Sequence, residues 1–533
     1  MIGRRRLAVA LLGALAIADV HTVTARGATA QAQEALAPER TLQQIDLLLS
    51  RDDLPGAQTA VTAALGAHPA DPALHNLAGV IDAQAGAYTS AESHFRTAIR
   101  LAPRGNAAYE NLGRLYQERA ASDPAARAKA LEIYRRLLVV QPSNAEALYQ
   151  AGFLLALGGE FASSRALLAR LPADVGRLPH VLAVAATDSA ALGDTGAAAQ
   201  ALRDLAAAPQ LSDADVLAVI PAFDHVADDE VLRQMLEALE RRGLASREAL
   251  QRLAGIHGRH HRYREARATL ERAAAVDGGA DVALLLDLAR AADKLDDHEG
   301  ALGYLAHARE LDPGNATVHF LFGIVCVEMN LGSEAYESLK KAVALAPDQP
   351  LVNYAMGAVS MHRHEPSESL PYFEKYTRLA PDDPRGRFAL GVARFYCGQF
   401  DAAAGDLREA AGHTETAAGA HYFLGRLARQ ANDLETARRE TGDAVRLHPG
   451  YADAWAELGL IQTRMGSYAD AERSLGEATK IEPDNYAAAV NLAVLYGRTK
   501  DPRRDAHAAR LEALQEHRAA RAQEFLRMID VVR

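Results

Sequence analysis

Cysteine and tryptophan are nearly absent from this sequence: its 533 residues include 2 Cys and 1 Trp, and only 6% are aromatic. Cys326 and Cys397 do not have the spacing of a metal-binding pair, and neither lies near the amino terminus, where a lipid-modified cysteine would have to be. We therefore expect no lipoprotein anchor, no disulfide bond, and two buried thiols that serve only packing.

A surplus of positive charge is also missing. The formal net charge is −11 at pH 7, so we expect no nucleic-acid partner. Hydrophobic residues make up 49% of the chain and are dominated by Ala and Leu, a composition that suits helices packed through small side chains. An all-α fold is the starting expectation.

Long apolar runs are absent after the amino terminus. Residues 1–6 include three consecutive arginines and form a basic start, and residues 7–18 form an apolar run that is too short for a stable membrane anchor. Small residues then allow cleavage after Ala30 or Ala32, so we predict a secretory signal peptide at 1–32. The alternative is an uncleaved amino-terminal anchor. In either case we expect no transmembrane span in the rest of the chain, and a location in the periplasm or at the cell envelope.

A period of 34 residues runs through the chain and is clearest in five glycines: Gly323, Gly357, Gly391, Gly425 and Gly459. Each lies within one apolar helical pattern, and a small residue about twelve positions later lies within the next, so the two helices can pack closely. In the best unit, Ala471 is that small residue, Gly466 allows the turn between the helices, and Pro483 stops the second helix.

The residues of this unit resemble the tetratricopeptide repeat, which has Trp, Leu-Gly, a later Ala, an aromatic residue or Leu, and then Pro. The matching residues are Trp455, Leu458, Gly459, Tyr468, Ala471, Leu475, Ala478 and Pro483. The resemblance implies a right-handed α-solenoid of stacked antiparallel helix hairpins. It also implies a concave groove lined mainly by the first helix of each pair.

The strength of the repeat pattern varies along the chain. We predict an N-terminal repeat array at 33–171, degenerate repeat-like hairpins at 172–246, a C-terminal array at 247–500 and a capping helix at 501–533. An insertion of about five residues near 122–127 is expected to lengthen one inter-helix turn.

The groove of the C-terminal array is predicted to be lined by aromatic side chains, followed by arginines toward its carboxyl-terminal end. The fifth residues of successive units are aromatic, the twelfth residues are mostly apolar, and arginines follow on the same helices, which suits a carboxylate-bearing or acidic peptide segment. The proposed partner-binding residues are Phe320, Tyr354, Phe388, Phe395, Tyr422, Arg426, Arg429, Arg464 and Arg498. The alternative is that the aromatic residues, which are common at the fifth position in this family, pack against the neighbouring helix.

The sequence carries no nucleophile elbow, no phosphate-binding Gly-Lys-Ser/Thr loop and no dinucleotide-binding glycine motif. His257, His260 and His261 are close in sequence, but no Glu stands between them and His261 falls where the helix should turn. We therefore expect no enzymatic activity, no cofactor and no metal site, although metal binding by these histidines stays open.

The signal and the repeats together predict a non-catalytic scaffold that is exported to the periplasm or cell envelope and binds peptide segments of partner proteins in its groove. The alternative is an assembly or export factor for envelope polysaccharide or outer-membrane machinery, a role that some repeat proteins of this family have. The partner, the pathway and the oligomeric state are not readable from the repeats, because function depends on sites carried by a common scaffold.

Overall fold

The computed structural model describes residues 42–45, 47–276, 279–504, 506, 507, 511 and 514. Within these ranges all regular structure is helical and no strand occurs, which confirms the predicted all-α class. The predicted signal peptide at 1–32 lies outside the described residues, as does most of the predicted capping helix at 501–533.

The chain forms two compact units, Met1–Leu244 and Ala245–Arg533. In each unit, consecutive helices pack against each other as hairpins, and each hairpin packs against the next. This arrangement is the helix-hairpin stack that the repeat pattern predicts.

The first unit starts with helical residues at 42–45 and 47–50. Its α-helices are then Leu54–Ala67, Pro72–Gln84, Tyr88–Leu101, Ala107–Arg119, Ala126–Val140, Ala145–Leu157, Phe161–Leu168, Pro179–Ala191, Thr195–Ala207, Asp213–Leu217 and Glu230–Arg241. Short 3₁₀ segments are found at Val175–Arg177 and Ile220–His225.

The second unit alternates first and second helices of nearly constant length. They are Arg247–Arg259, Tyr263–Ala275, Val282–Asp293, His298–Leu311, Ala316–Glu328, Gly332–Leu345, Pro350–His362, Pro366–Leu379, Pro384–Tyr396, Phe400–Ala410, Ala417–Gln430, Leu434–Leu447, Ala452–Met465, Tyr468–Ile481 and Tyr486–Thr499. Helix Tyr468–Ile481 ends two residues before Pro483, as expected from the missing N–H of proline.

The periodic glycines lie where the paired helices cross. A Cβ atom on Gly357 would stand 2.6 Å from Cε1 of Phe373, and one on Gly459 would stand 2.5 Å from Cγ of Leu475. Both distances are shorter than any real Cβ contact, so only glycine fits here without a shift. The same relation holds for the pairs Gly79 and Phe95, Gly323 and Leu339, and Gly391 and Leu407. The predicted close approach of the two helices is therefore confirmed.

In most hairpins the turn between the two helices contains one residue with positive φ, whereas the turn at 120–125, between Ala107–Arg119 and Ala126–Val140, contains none. In the second unit these residues again recur every 34 positions: Asp296, Asn330, His364, Gly398, Asn432, Gly466 and Lys500. Gly466, at φ 81°, has the left-handed conformation that the sequence predicts for it. The turn geometry is thus kept even where the residue is not glycine.

Both cysteines are free thiols. Cys326 is buried, as expected, whereas Cys397 is only half-buried because it follows the last residue of helix Pro384–Tyr396. None of the helices in the described ranges combines the length and the apolar character that a bilayer crossing requires.

Candidate functional site

The first helices of two neighbouring repeats bring an arginine onto a group of aromatic rings. The guanidinium carbon of Arg426 lies 4.7 Å from the ring centre of Phe395, 5.4 Å from Phe423, 5.5 Å from Tyr422 and 5.8 Å from Tyr396. We call these five residues the aromatic–arginine patch. A cation over aromatic faces is attracted by their negative potential, and the guanidinium also interacts electrostatically with Glu457 and Asp453.

Helical spacing explains how the patch forms. Tyr422 and Phe423 precede Arg426 by four and three residues on helix Ala417–Gln430, so their side chains lie on the same face. Phe395 and Tyr396 come from the end of the preceding first helix. The rings also pack on each other, with 5.5 Å between the ring centres of Phe395 and Phe423.

Exposure differs sharply within the patch. Phe395, Tyr422 and Phe423 are buried, Arg426 is half-buried and Tyr396 is exposed. The Nη1 atom of Arg426 donates to the hydroxyl of Tyr396 at 3.4 Å. The patch therefore presents a guanidinium and a phenol above an apolar base.

Two neighbouring phenols, neutral at physiological pH in any case, have pKa values raised further by burial. Burial raises the pKa of Tyr422 above its usual value, and it raises the pKa of Tyr451 well above that value. The two rings are 5.1 Å apart. Arg426 is consequently the charged group of the patch at neutral pH, and its remaining N–H groups are suited to a carboxylate.

The other predicted arginines differ in how far they are engaged. Arg429 forms an ion pair with the buried Glu457 of the next first helix. Arg498 donates to the backbone oxygen of Thr463 at 3.3 Å, which places it beside the last turn of helix Ala452–Met465. Arg464 is exposed and makes no hydrogen bond or ion pair with the residues that the structure describes. Arg464 and Arg498 are thus the solvent-facing cations of this region.

The predicted aromatic ladder lies mostly in the interior. Tyr354, Phe388, Phe395 and Tyr422 are between 1% and 9% exposed, whereas Phe320 is half-buried. Tyr354, for example, packs against Phe373 and Tyr376 of its own repeat, with ring centres 5.7 Å and 5.0 Å away. Helix packing is sufficient to explain these rings, and their part in partner binding stays a prediction.

Sequence reasoning missed two residues of the patch, Phe423 and Tyr396, and one group of possible metal ligands. Tyr396 directly follows Phe395, the twelfth residue of its repeat unit. This position is the only feature of the sequence that indicates that Tyr396 is exposed. A group formed by Asp293, His298 and Glu328 was also missed, because it joins residues that are distant in sequence.

The three histidines that the sequence singled out do not share an environment. His257 is buried on helix Arg247–Arg259, while His260 and His261 are exposed at its end. His261 has φ 56° and its Nδ1 atom is 2.9 Å from the hydroxyl of Tyr263. The helix does turn at His261, as expected.

Family models of the tetratricopeptide repeat match the sequence at residues 42–106, 252–316, 294–359, 388–452 and 452–485. Combined with the helix-hairpin stack, these matches show that the chain belongs to the tetratricopeptide-repeat family. Members of this family are typically non-catalytic scaffolds for protein–protein interaction, and their repeats bind other proteins or peptides.

No curated protein sequence matches this chain. Among solved structures, it is similar to the APC/C hetero-tetramer Cut9-Hcn1, with 13% identity over 87% of this chain and 98% of that chain and a TM-score of 0.39. It is also similar to YrrB, a repeat protein with an unusual peptide-binding site, with 22% identity over 39% and 90% of the two chains and a TM-score of 0.25. For pilF of Pseudomonas aeruginosa the identity is 23%, the coverage 41% and 97%, and the TM-score 0.36. TM-scores this low carry no information about function.

Proposed function

We propose that this protein is an exported, non-catalytic scaffold that binds a carboxylate-bearing peptide segment of a partner protein at the aromatic–arginine patch. The observation that carries the proposal is the position of Arg426, half-buried on aromatic rings with a phenol beside it. A guanidinium fixed in this way loses little side-chain entropy when it binds a carboxylate, and its fork of N–H groups matches the two oxygens.

The basic side chains that follow extend the proposed surface. Arg464 and Arg498 lie on the next two first helices and face solvent. An extended peptide with several acidic residues would meet them after the patch. This local cationic surface would attract acidic protein segments. Nucleic acid is not part of the proposal, because the net charge of the whole chain is −11.

Binding is best tested by substituting arginines and leaving the buried aromatic rings unchanged. Truncation of the buried Phe388 or Tyr422 would damage helix packing, so a loss of binding there would be ambiguous. We propose the double variant Arg426→Gln, Arg464→Gln and a matched control, Arg438→Gln, Arg446→Gln, in which both exposed arginines lie on a second helix.

The measurement is capture from a library of extended peptides in which each acidic member has a partner with amides in place of the carboxylates. We expect the wild type and the control to retain acidic peptides and to release their amide partners. The Arg426→Gln, Arg464→Gln variant should bind the acidic peptides at least about 10-fold more weakly, since each lost charged hydrogen bond is worth about 1.5–3 kcal/mol. Equal capture by the wild type and this variant would contradict the proposal.

Export is the second part of the proposal and rests on the composition of residues 1–32. Expression of the whole chain in a bacterial host should place the protein outside the cytoplasm, with a mature amino terminus directly after Ala30 or Ala32. A chain that starts at residue 33 should stay in the cytoplasm. Fractionation and mass spectrometry of the intact protein provide both measurements, and equal distribution of the two chains would count against export.

A further inference from the structure

Three metal-ligating side chains face one another between two neighbouring repeats of the second unit. Asp293 is the last residue of one first helix, His298 opens the paired second helix, and Glu328 is the last residue of the next first helix. One ligand atom from each lies within 4.8 Å of the other two. In the described part of the chain, no other group of three His, Cys, Asp or Glu residues meets this condition.

The distances in this group fit a shared ion better than direct hydrogen bonds. The Nδ1 atom of His298 is 3.4 Å from Oε2 of Glu328 and 3.7 Å from Oδ1 of Asp293. Strong N–H···O bonds are shorter than about 3.2 Å. Ligand atoms of a tetrahedral zinc ion stand about 3.4 Å apart, because each bond to the metal is about 2.0–2.2 Å long. Small side-chain movements would therefore complete the geometry.

The environment also favours a cation. The three side chains are only 26% to 28% exposed. Asp293 Oδ1 and His298 Nδ1 are shielded from solvent and make no hydrogen bond with any residue that the structure describes. Two carboxylates converge here, and their repulsion in a partly desolvated place is relieved by positive charge.

We propose that Asp293, His298 and Glu328 form a site for one divalent transition-metal ion, with Zn²⁺ the best match to one imidazole and two carboxylates. Zinc binds both imidazole nitrogen and carboxylate oxygen, and a zinc ion with three protein ligands keeps a fourth position for water. Because the ligands come from two repeats, the ion ties the turn of one repeat to the first helix of the next.

The test uses the full chain after chelator treatment and dialysis, titrated with Zn²⁺ by calorimetry. We expect one ion to bind at this site, and binding should be at least about 10-fold weaker in His298→Ala and in Glu328→Gln. Zn²⁺ should raise the melting temperature of the wild type and not that of the two variants. Substituted Co²⁺ provides a second readout, since its visible absorption should change when His298 is lost.

Controls separate this site from other histidines. His307→Ala changes an exposed residue on the same helix as His298 and should bind Zn²⁺ like the wild type. The double variant His260→Ala, His261→Ala should also bind like the wild type. Circular dichroism reports whether each variant folds. If His298→Ala does not fold, Zn²⁺ binding by the isosteric variant Glu328→Gln tests the proposal. The proposal is overturned if the wild type binds no Zn²⁺, if Glu328→Gln binds as tightly as the wild type, or if only the His260/His261 variant loses binding.

Discussion

Two regions of this protein use the same building block with different regularity. From 282 to 499 in the second unit, first and second helices alternate at a nearly constant spacing, and a positive-φ residue lies in the turn inside each hairpin. From 172 to 244 in the first unit, the helices are interrupted by two 3₁₀ segments and a helix of only five residues, Asp213–Leu217. The regular elements of both regions are helices, so helix propensity alone does not explain the difference.

The two regions differ in part in what occupies their helix crossings. In most repeats of the regular region a glycine stands opposite a side chain of the paired helix, as Gly357 does opposite Phe373, although helix Val282–Asp293 has no glycine. In the irregular region, helix Pro179–Ala191 has no glycine and buries polar residues, among them Thr187, Asp188 and Ser189. Buried polar groups do not by themselves separate the two regions, because the regular repeats also bury Asn353 and Ser360. The irregular region differs in carrying prolines outside the 34-residue period, at positions 172, 179, 209 and 221, and proline cannot continue a helix.

The largest effect that would sharpen this comparison is expected at Asp188. Its side chain is fully buried, its Oδ2 atom accepts from the Ser164 hydroxyl at 2.6 Å, and burial raises its pKa from 3.8 to about 7. Between these two values the folded protein keeps a proton that the unfolded chain has lost, so stability falls as the pH rises from about 4 to 7. Asp188→Asn keeps the acceptor without the charge, so it should be more stable than the wild type at pH 8, by up to about 4 kcal/mol.

The measurement for Asp188 is denaturant unfolding of both proteins at pH 4.5 and at pH 8. The advantage of Asp188→Asn should shrink toward the acidic end, because there the wild-type carboxyl is protonated as well. Asp204→Asn, at an exposed position of the next helix, should change stability by less than about 0.5 kcal/mol at either pH. A stability difference that is independent of pH would contradict the assigned role of burial.

An effect of intermediate size is expected when the crossing of a regular repeat is filled. Gly459→Ala would bring a methyl group to 2.5 Å from Cγ of Leu475, and we expect overpacking to destabilise the protein by about 1–3 kcal/mol. Gly476→Ala is the matched control, because a methyl group on this glycine of the paired helix would meet nothing within 4 Å. That change should stabilise by about 0.5–1 kcal/mol through helix propensity. Thermal unfolding monitored by circular dichroism would show the opposite signs, and equal signs would show that the crossing is not tight.

The smallest effect is expected at the turns. His364 and Gly398 occupy equivalent turn positions with φ 61° and φ 74°. A left-handed conformation costs a residue with a Cβ atom about 1 kcal/mol more than glycine. His364→Gly should therefore raise the free energy of unfolding by up to about 1 kcal/mol, and Gly398→Ala should lower it by a similar amount. Chemical denaturation of both variants checks the pair, and destabilisation by His364→Gly would show that the turn residue makes contacts of its own.

Much of the fold could be predicted because the repeat fixes short-range geometry. A glycine near the middle of one helix, a turn residue and a proline after the second helix specify a hairpin within 34 residues. The candidate site was harder to predict. Positions five and twelve were expected to line a groove, yet Tyr354 and Phe388 are taken up by packing between helices. Periodicity identifies the face of a helix, but it does not reveal how closely the neighbouring helix covers that face.

The sequence by itself determined the hairpin, its period and its tight crossings, because these depend on contacts between residues a few turns apart. Only the tertiary structure decided which side chains stay accessible and which distant groups meet. Arg426 gained its aromatic surroundings from the preceding repeat, and Asp293, His298 and Glu328 converge from successive helices. Such convergence follows from the angle and distance at which one repeat packs on the next, and these are set by all the side chains between them.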